Sequence, residues 1–310
     1  MYKIAILMST YNGESFLNEQ LDSLLKQENV WDKYNIQIFI RDDGSRDTTC
    51  KIIDNYASNY KGKFKLFSDE ENLGPCNSFL RLVELVEADL YFFCDQDDIW
   101  LPNKISKAVN IYQNNENDQP FLYYSALAMC NKNGEFLKKI NVYNHPENLL
   151  STLNENLATG STIMFNNKLA QLYRSQLVKL DKNFLVMHDN YFYILGMLFG
   201  VVYFDNSITI LYRQHEKNVV GASGKNIVLK LLKLTSLFNN LYLSGRYKQQ
   251  SQEIMNLYSS KMSNEQIHVF KLFLNENYSW KRQKYLLRNL HLKSLFLNIY
   301  MKIYIILKKY

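Results

Sequence analysis

The chain has 310 residues, 47% of them hydrophobic, so it can form one large folded domain or two, and an intrinsically disordered protein is excluded. Its net charge is +6, and its four cysteines (Cys50, Cys76, Cys94 and Cys130) lack metal-site spacing, which favours reduced thiols in a cytosolic protein. The N-terminal sequence lacks the apolar segment of a signal peptide, and no run of roughly 20 uncharged apolar residues predicts a transmembrane helix.

The N-terminal third alternates strands and helices. Short apolar runs predict strands at 3–8, 36–40, 64–67 and 90–94. Apolar residues at helical spacing predict helices at 14–27, 47–60 and 77–86. This alternation indicates an α/β fold with a mostly parallel central sheet and helices on both faces.

The pattern becomes less regular after the fourth strand. Strands are predicted at 121–129 and 161–165, and a helix at 187–200. A strand pair at 201–204 and 208–212 follows, and basic, Leu-rich helices are predicted beyond residue 225.

Three polar motifs follow three of the predicted strands. They are STYNG (9–13), DDGS (42–45) and DQDD (95–98). Because parallel α/β sheets bind ligands at the carboxyl ends of their strands, we expect one site to collect all three. In DQDD, Asp95 and Asp97 form an Asp-x-Asp pair, and clustered carboxylates at the end of a buried strand need a positive partner. Mg²⁺ or Mn²⁺ holding a substrate diphosphate satisfies that need, although acidic clusters also occur on ordinary surfaces.

The motifs resemble those of family 2 glycosyltransferases of the GT-A fold. STYNG, DDGS, NLG (72–74) and DQDDIW (95–100) carry this resemblance over residues 1–105. ATGSTIMFNN (158–167), HDNY (188–191) and YRQHEKNVVG (212–221) resemble the rhamnosyltransferase-like branch of the family. The resemblance implies sugar transfer from a nucleotide sugar by single displacement with inversion, assisted by Mg²⁺ or Mn²⁺.

The resemblance also implies a role for each matched residue. Asp189 would be the general base. The metal would be bound by Asp97, Asp95 and His215. The nucleotide sugar would be bound by Ser9, Thr10, Tyr11, Asp42, Asp43, Asp95 and Arg213. The acceptor and sugar region would contain Asp98, Trp100, Gly160 and His188.

Several of these residues have a purely structural alternative. Asp42 is also suited to cap the turn or helix that follows it, and His188 to be a hydrogen-bonded structural histidine. His215 is equally compatible with a surface turn, Trp100 with core packing, and Gly160 with a backbone turn. The chain also departs from the branch at Asn190, where an aromatic residue is usual, so the donor sugar and acceptor stay open.

Charge divides the chain. From residue 225 to the end, 15 Lys or Arg and 3 Asp or Glu give +12, whereas residues 1–224 hold 21 basic and 27 acidic residues and carry −6. We therefore predict a catalytic domain over 1–224, with a nucleotide-sugar half (1–105) and an acceptor half (106–224), followed by a basic amphipathic helical region over 225–310. These basic helices are expected to pack on the catalytic domain, to lie on an anionic membrane, or to divide the two roles between different helices. No nucleic-acid recognition motif accompanies the charge.

The sequence thus favours a glycosyltransferase that acts at the inner face of the plasma membrane. The resemblance implies dTDP-L-rhamnose as donor and a lipid-linked glycan as acceptor. Two alternatives are a transferase that uses a UDP-hexose and a non-catalytic glycan-binding or scaffold module of the same fold.

Overall fold

The computed structural model describes residues 1–67, 71–116, 118–140, 148–215, 245–275, 279–292 and 295–306. Within these ranges the strands form a single sheet. The strands are β1 (Lys3–Thr10), β2 (Asn35–Asp42), β3 (Phe64–Phe67), β4 (Leu90–Cys94), β5 (Ile99–Trp100), β6 (Phe121–Cys130), β7 (Phe136–Ile140), β8 (Ile163–Asn166) and β9 (Val201–Arg213). Their order is β3-β2-β1-β4-β8-β6-β9-β5, with β7 beside β6.

The first half of the sheet is parallel, as the alternation predicts. Strand β1 pairs in parallel with both β2 and β4, and β2 pairs in parallel with β3. The helices of this half are α1 (Leu17–Leu25), α2 (Thr49–Asn59), α3 (Gly74–Leu85) and α4 (Lys104–Asn114). All residues of β4 are buried, which explains its continuous apolar sequence, since a parallel strand is covered on both faces. The predicted fold class is confirmed.

The second half is mixed. Strand β8 runs antiparallel between β4 and β6, and β6 pairs in parallel with β9. The helices here are α5 (Leu149–Thr152), α6 (Asn167–Arg174) and α7 (His188–Phe199).

The predicted strand pair at 201–204 and 208–212 is wrong, because β9 is one continuous strand. Residues Asp205, Asn206 and Ser207 have turn-forming side chains, and the Ser207 N–H donates to Asp205 Oδ1 at 2.8 Å. The register with β6 shifts just after Asp205. The polar triplet therefore forms an irregularity within the strand, and the strand continues beyond it.

Alternate residues of β1 face two separate cores. Ile4, Ile6 and Met8 pack in the cluster on one side, and Ala5 and Leu7 pack in the cluster on the other. The second cluster also contains buried side chains of the C-terminal helices. These helices are α8 (Arg246–Tyr258), α9 (Asn264–Leu274), α10 (Trp280–Asn289) and α11 (Leu295–Ile306).

The C-terminal helices therefore pack on the sheet domain. Tyr258 of α8, Phe270 of α9 and Leu286 of α10 belong to the same apolar cluster as Leu7. This is the first of the two arrangements expected for the basic helices. The boundary predicted at residue 224, and the start of the basic region, lie outside the described residues. In the parts of the chain that are described, no helix combines the length and the apolar character needed to cross a membrane.

Candidate active site

The carboxyl ends of β1, β2 and β4 bring the three polar motifs together. Thr10 Oγ1 donates to Asp42 Oδ1 at 2.7 Å, which joins the first motif to the second. Gln96 bonds both backbone groups of Tyr11, at 2.9 Å to its N–H and 3.0 Å to its carbonyl, which joins the first motif to the third. A Cβ on Gly13 would lie 2.2 Å from Gln96 Oε1, so a glycine is needed there for this approach.

The predicted nucleotide-binding side chains differ in accessibility. Tyr11 is 47% exposed, so its ring is available to a base. Ser9 donates to Ser78 Oγ at 2.6 Å. Asp42 accepts from Thr10 and also from the Ser45 N–H at 2.7 Å. Asp42 therefore closes the turn that follows β2, as the structural alternative expects.

Asp43 is buried and fully engaged. It pairs with the buried guanidinium of Arg41 and accepts the backbone N–H groups of Leu73 and Gly74, each at 2.8 Å. Its carboxylate thus ties the end of β2 to the start of α3 and stabilises the NLG turn. Asp43 was predicted to contact the nucleotide, but the structure gives its carboxylate this supporting position.

Asp97 and Asp95 have different surroundings at the end of β4. Asp97 Oδ2 lies 2.8 Å from His215 Nε2, and both side chains are partly exposed. Burial, followed by the nearby carboxylates of Asp97 and Asp189, raises the pKa of Asp95 to about 7. Carboxylates that repel one another in this way are suited to share a cation.

The donor groups fit a hydrated divalent cation. Among the described residues, no three His, Cys, Asp or Glu side chains are arranged as a preformed metal cage. Mg²⁺ sites, however, typically use one or two carboxylates together with water and substrate phosphates. Asp97, with Asp95 and His215 beside it, can provide the protein part of such a site for Mg²⁺ or Mn²⁺.

Three side chains predicted to contact substrate are buried in or beside the DQDD segment. Asp98 is fully buried, and its Oδ1 accepts the Arg213 N–H at 3.1 Å. The buried Arg213 guanidinium donates to the Asp97 carbonyl at 2.8 Å and pairs with Glu19. Trp100 is 2% exposed and packs in the core. These buried side chains pack around the DQDD segment and hold it in place.

A buried lysine also lies beneath this segment. Lys104 Nζ is 4.7 Å from the centre of the Trp100 ring and 3.5 Å from Thr209 Oγ1. Burial lowers the pKa of Lys104 to about 7, and burial raises the pKa of Asp98 well above its ordinary value. Neither this lysine nor Ser161, which lies beside Asp95 and Asp98, was assigned a role from the sequence. The apolar residues at helical spacing in α4 could have predicted that Lys104 is buried.

Asp189 lies at the start of α7, close to Asp95. Its Oδ2 accepts the Gly160 N–H at 3.0 Å, and its Oδ1 accepts the Asn190 N–H at 2.7 Å. A Cβ on Gly160 would lie 3.5 Å from Asp189 Oδ2 and 3.1 Å from His188 Nε2. The carboxylate is therefore held from two sides, near the proposed metal ligands.

His188 is a buried, neutral histidine. Its ring stacks on Phe79 with centroids 4.1 Å apart and meets the Phe93 ring edge-on at 4.6 Å. Burial lowers its pKa to about 4. Neither ring nitrogen has a hydrogen-bond partner among the described residues, so His188 differs from the hydrogen-bonded histidine of the structural alternative.

The sequence matches a known family over the part of the chain that contains the STYNG, DDGS and DQDD motifs. The sequence profile described as "Glycosyl transferase family 2" matches residues 5–171, more than half of the 310 residues. The chain belongs to this family. The transferase is also 30% identical to the "dTDP-rhamnosyl transferase RfbG" of Shigella flexneri, over 70% of this chain and 74% of that relative.

Solved structures show the same fold. The S. aureus TarS fragment 1–349 in complex with UDP-GlcNAc matches with a TM-score of 0.58 and 16% identity, over 99% of this chain and 82% of that chain. The mannosyltransferase PcManGT from Pyrobaculum calidifontis, in complex with GDP-Man and Mn²⁺, matches with a TM-score of 0.54 and 11% identity, over 99% and 87% of the two chains. These likenesses establish the fold. Together with the family match, they show that the chain is a glycosyltransferase.

Proposed function

We propose that the protein is an inverting, metal-dependent transferase that moves L-rhamnose from dTDP-L-rhamnose to a hydroxyl of a lipid-linked glycan in cell-surface polysaccharide synthesis. One observation carries the reaction type: Asp189 lies close to the Asp95–Asp97 pair at the carboxyl ends of the strands. The dTDP-rhamnosyl transferase relative supports the donor.

In the proposed reaction Asp189 is the general base. It takes the proton of the acceptor hydroxyl, whose oxygen forms a bond to the anomeric carbon. The bond from that carbon to the donor phosphate breaks on the opposite face, the diphosphate leaves with the bonding electrons, and the sugar configuration inverts. The N–H groups of Gly160 and Asn190 orient the Asp189 carboxylate for this step.

The leaving diphosphate needs positive charge. Asp97 and His215 would hold a divalent cation, with Asp95 beside them, and the cation would stabilise the charge that develops on the leaving group. Asp98 and the Arg213 guanidinium would keep the Asp97 backbone in place through their contacts beneath the segment.

We include in this proposal a peripheral position on the inner face of an anionic plasma membrane. Helix α10 exposes Lys281, Lys284 and Arg288, and Ile299 and Ile303 of α11 are about half exposed. Cationic and apolar side chains on adjacent helices suit a surface of anionic lipids. Flotation with phosphatidylglycerol vesicles tests this part. We expect salt-sensitive binding that is absent with phosphatidylcholine vesicles, and equal behaviour with both lipids would refute it.

Two other functions predict different assay results. A UDP-hexose transferase would hydrolyse UDP-sugars in preference to dTDP-L-rhamnose, and a non-catalytic module of the same fold would hydrolyse neither. The test is nucleotide release by purified protein, screened over dTDP-L-rhamnose and UDP-sugars with Mg²⁺, Mn²⁺ or EDTA. We expect metal-dependent release of dTDP. Preferential release of UDP would show that the donor is a UDP-sugar and not dTDP-L-rhamnose. Absence of both nucleotide release and nucleotide binding would favour the non-catalytic module.

A further inference from the structure

The segment that leads into α7 has little regular structure, so its backbone groups need partners from elsewhere. Side chains of α8 supply them. The Leu185 carbonyl accepts from the Arg246 guanidinium at 3.2 Å, and the Asp181 N–H donates to Glu253 Oε1 at 3.0 Å. Positions 246, 250 and 253 lie on one helical face, because residues three and four apart are neighbours on a helix.

Gln250, in the middle of this face, bridges the two sides of the His188–Asp189 pair. Its Oε1 accepts the Val186 N–H at 2.7 Å, before the pair, and its Nε2 donates to Asn190 Oδ1 at 2.6 Å, after the pair. Both Gln250 and Asn190 are fully buried. One amide group thus fixes the chain on both sides of the proposed base.

We propose that Gln250 is a positioning residue that sets the location of the Asp189 carboxylate. This inference rests on the proposed function, in which Asp189 is the base. The bridge reaches the carboxylate through Asn190, whose side chain is held by Gln250 and whose N–H bonds Asp189 Oδ1 at 2.7 Å. A displacement of Asn190 therefore displaces the carboxylate as well.

This role predicts an effect on turnover and not on donor binding. Both hydrogen bonds of the Gln250 side chain go to segment 186–190, whereas the proposed donor-binding motifs lie at the ends of β1, β2 and β4. A misplacement of about 1 Å in a catalytic group can cost on the order of 100-fold in rate. We therefore expect kcat to fall while the donor KM stays the same.

The test compares Gln250→Met with Gln283→Met. Gln283 is a matched control, because it is a buried glutamine whose Nε2 donates to the Ile305 carbonyl at 2.8 Å, between α10 and α11. We would measure kcat, donor KM and Tm, using release of nucleotide from the sugar nucleotide that the wild-type protein hydrolyses. We expect kcat of Gln250→Met to be lower than that of Gln283→Met by about tenfold or more, with donor KM unchanged and comparable losses of Tm.

The inference is overturned if the wild type is active and Gln250→Met keeps the kcat of Gln283→Met, or if its loss is entirely a rise in donor KM. If Gln250→Met does not fold, Asn190→Ala replaces it. This change removes the hydrogen bond from Gln250 to the Asn190 side chain and keeps the one from the Val186 N–H. A lowered kcat with unchanged KM then supports the role, and an unchanged kcat refutes it. A wild-type protein that neither hydrolyses nor binds any nucleotide sugar would refute the proposed function itself, and the role of Gln250 with it.

Discussion

At the scale of single residues, neighbouring carboxylates have different environments. Asp97 is partly exposed and contacts His215, whereas Asp98, the next residue, is buried and accepts the Arg213 N–H. Burial, followed by the nearby carboxylates of Asp97 and Asp189, raises the pKa of Asp95 to about 7. The motif letters alone do not distinguish these carboxylates, because the path of the backbone decides which side chain faces the site.

Replacing the proposed base should remove turnover and leave nucleotide binding intact. We expect Asp189→Asn to lower kcat by about 10²- to 10⁴-fold, since an amide cannot accept the acceptor proton. Nucleotide-release kinetics and calorimetric titration with dTDP would measure the two effects. The control is Asp118→Asn, whose carboxylate is 97% exposed. Equal activity of the two variants would exclude Asp189 as the base.

His188 should make stability depend on pH. Its pKa is lowered from 6.5 to about 4 in the folded protein, so the unfolded chain binds the extra proton between these two values. Protonation of the unfolded chain therefore lowers the free energy of unfolding as pH falls from 6.5 towards 4, whereas His188 causes no such loss above pH 6.5. Between pH 7 and pH 5 we expect a loss of about 2 kcal/mol in the free energy of unfolding. Urea unfolding of wild type and His188→Phe would measure it, and an equal loss in both would contradict the assignment.

At the scale of elements, the short turn that precedes β8 packs closely against the start of α7. The Gly160 N–H bonds Asp189, and a side chain at position 160 would crowd the His188 ring and require it to shift. The close approach of these two elements helps to position the proposed base, Asp189.

Gly160→Ala tests this close packing. Its Cβ would lie 3.1 Å from His188 Nε2, so we expect a shift of α7 and a kcat lower by about tenfold. Gly196→Ala is the control, because its Cβ would be equally crowded, 3.1 Å from Val202 Cγ2, but outside the site. Gly196→Ala should lower Tm alone. If both variants lose Tm and neither loses kcat, the packing is not important for catalysis.

The sequence predicts elements well where burial alone decides them. The bounds of β4 match the prediction, because its uninterrupted and fully buried apolar run leaves little choice. The bounds of β3 match as well, although Lys65 and Leu66 in it are exposed. β9 was mispredicted because Asp205, Asn206 and Ser207 are also turn formers, and only the pairing with β6 shows that the strand continues. The sequence brings the three motifs to one edge and offers core packing for Trp100, but the Gln250 bridge depends on long-range packing that the sequence does not reveal.

At the scale of the whole molecule, the C-terminal helices share a core with the sheet. Tyr247, Ile254, Phe270 and Leu286 are buried in the same cluster as Leu7. Burial of a large apolar side chain stabilises a fold by roughly 1.5–3 kcal/mol. The helices therefore contribute to the stability of the catalytic part, in addition to any role at a membrane.

Truncation tests this contribution. We expect the fragment 1–224 to lack a cooperative thermal transition, because its apolar surface beneath α8 to α10 would be exposed. The matched fragment 1–292, which lacks only α11, loses the buried Met301 and Ile305 and should unfold cooperatively at a lower Tm. Circular dichroism melts would compare the two. A 1–224 fragment that melts like the full chain would show that the catalytic domain is independent of these helices.

The carboxylates at the end of β4 are proposed to bind a metal ion that also binds the donor diphosphate. Calorimetric titration of dTDP into the wild type with Mn²⁺, into the wild type with EDTA, and into Asp97→Asn with Mn²⁺ tests this proposal most directly. We expect binding with Mn²⁺ that is weakened about tenfold or more by EDTA, which removes the cation, and by Asp97→Asn, which removes one of its ligands. Equal affinity in all three titrations would show that these carboxylates do not hold the diphosphate through a metal ion.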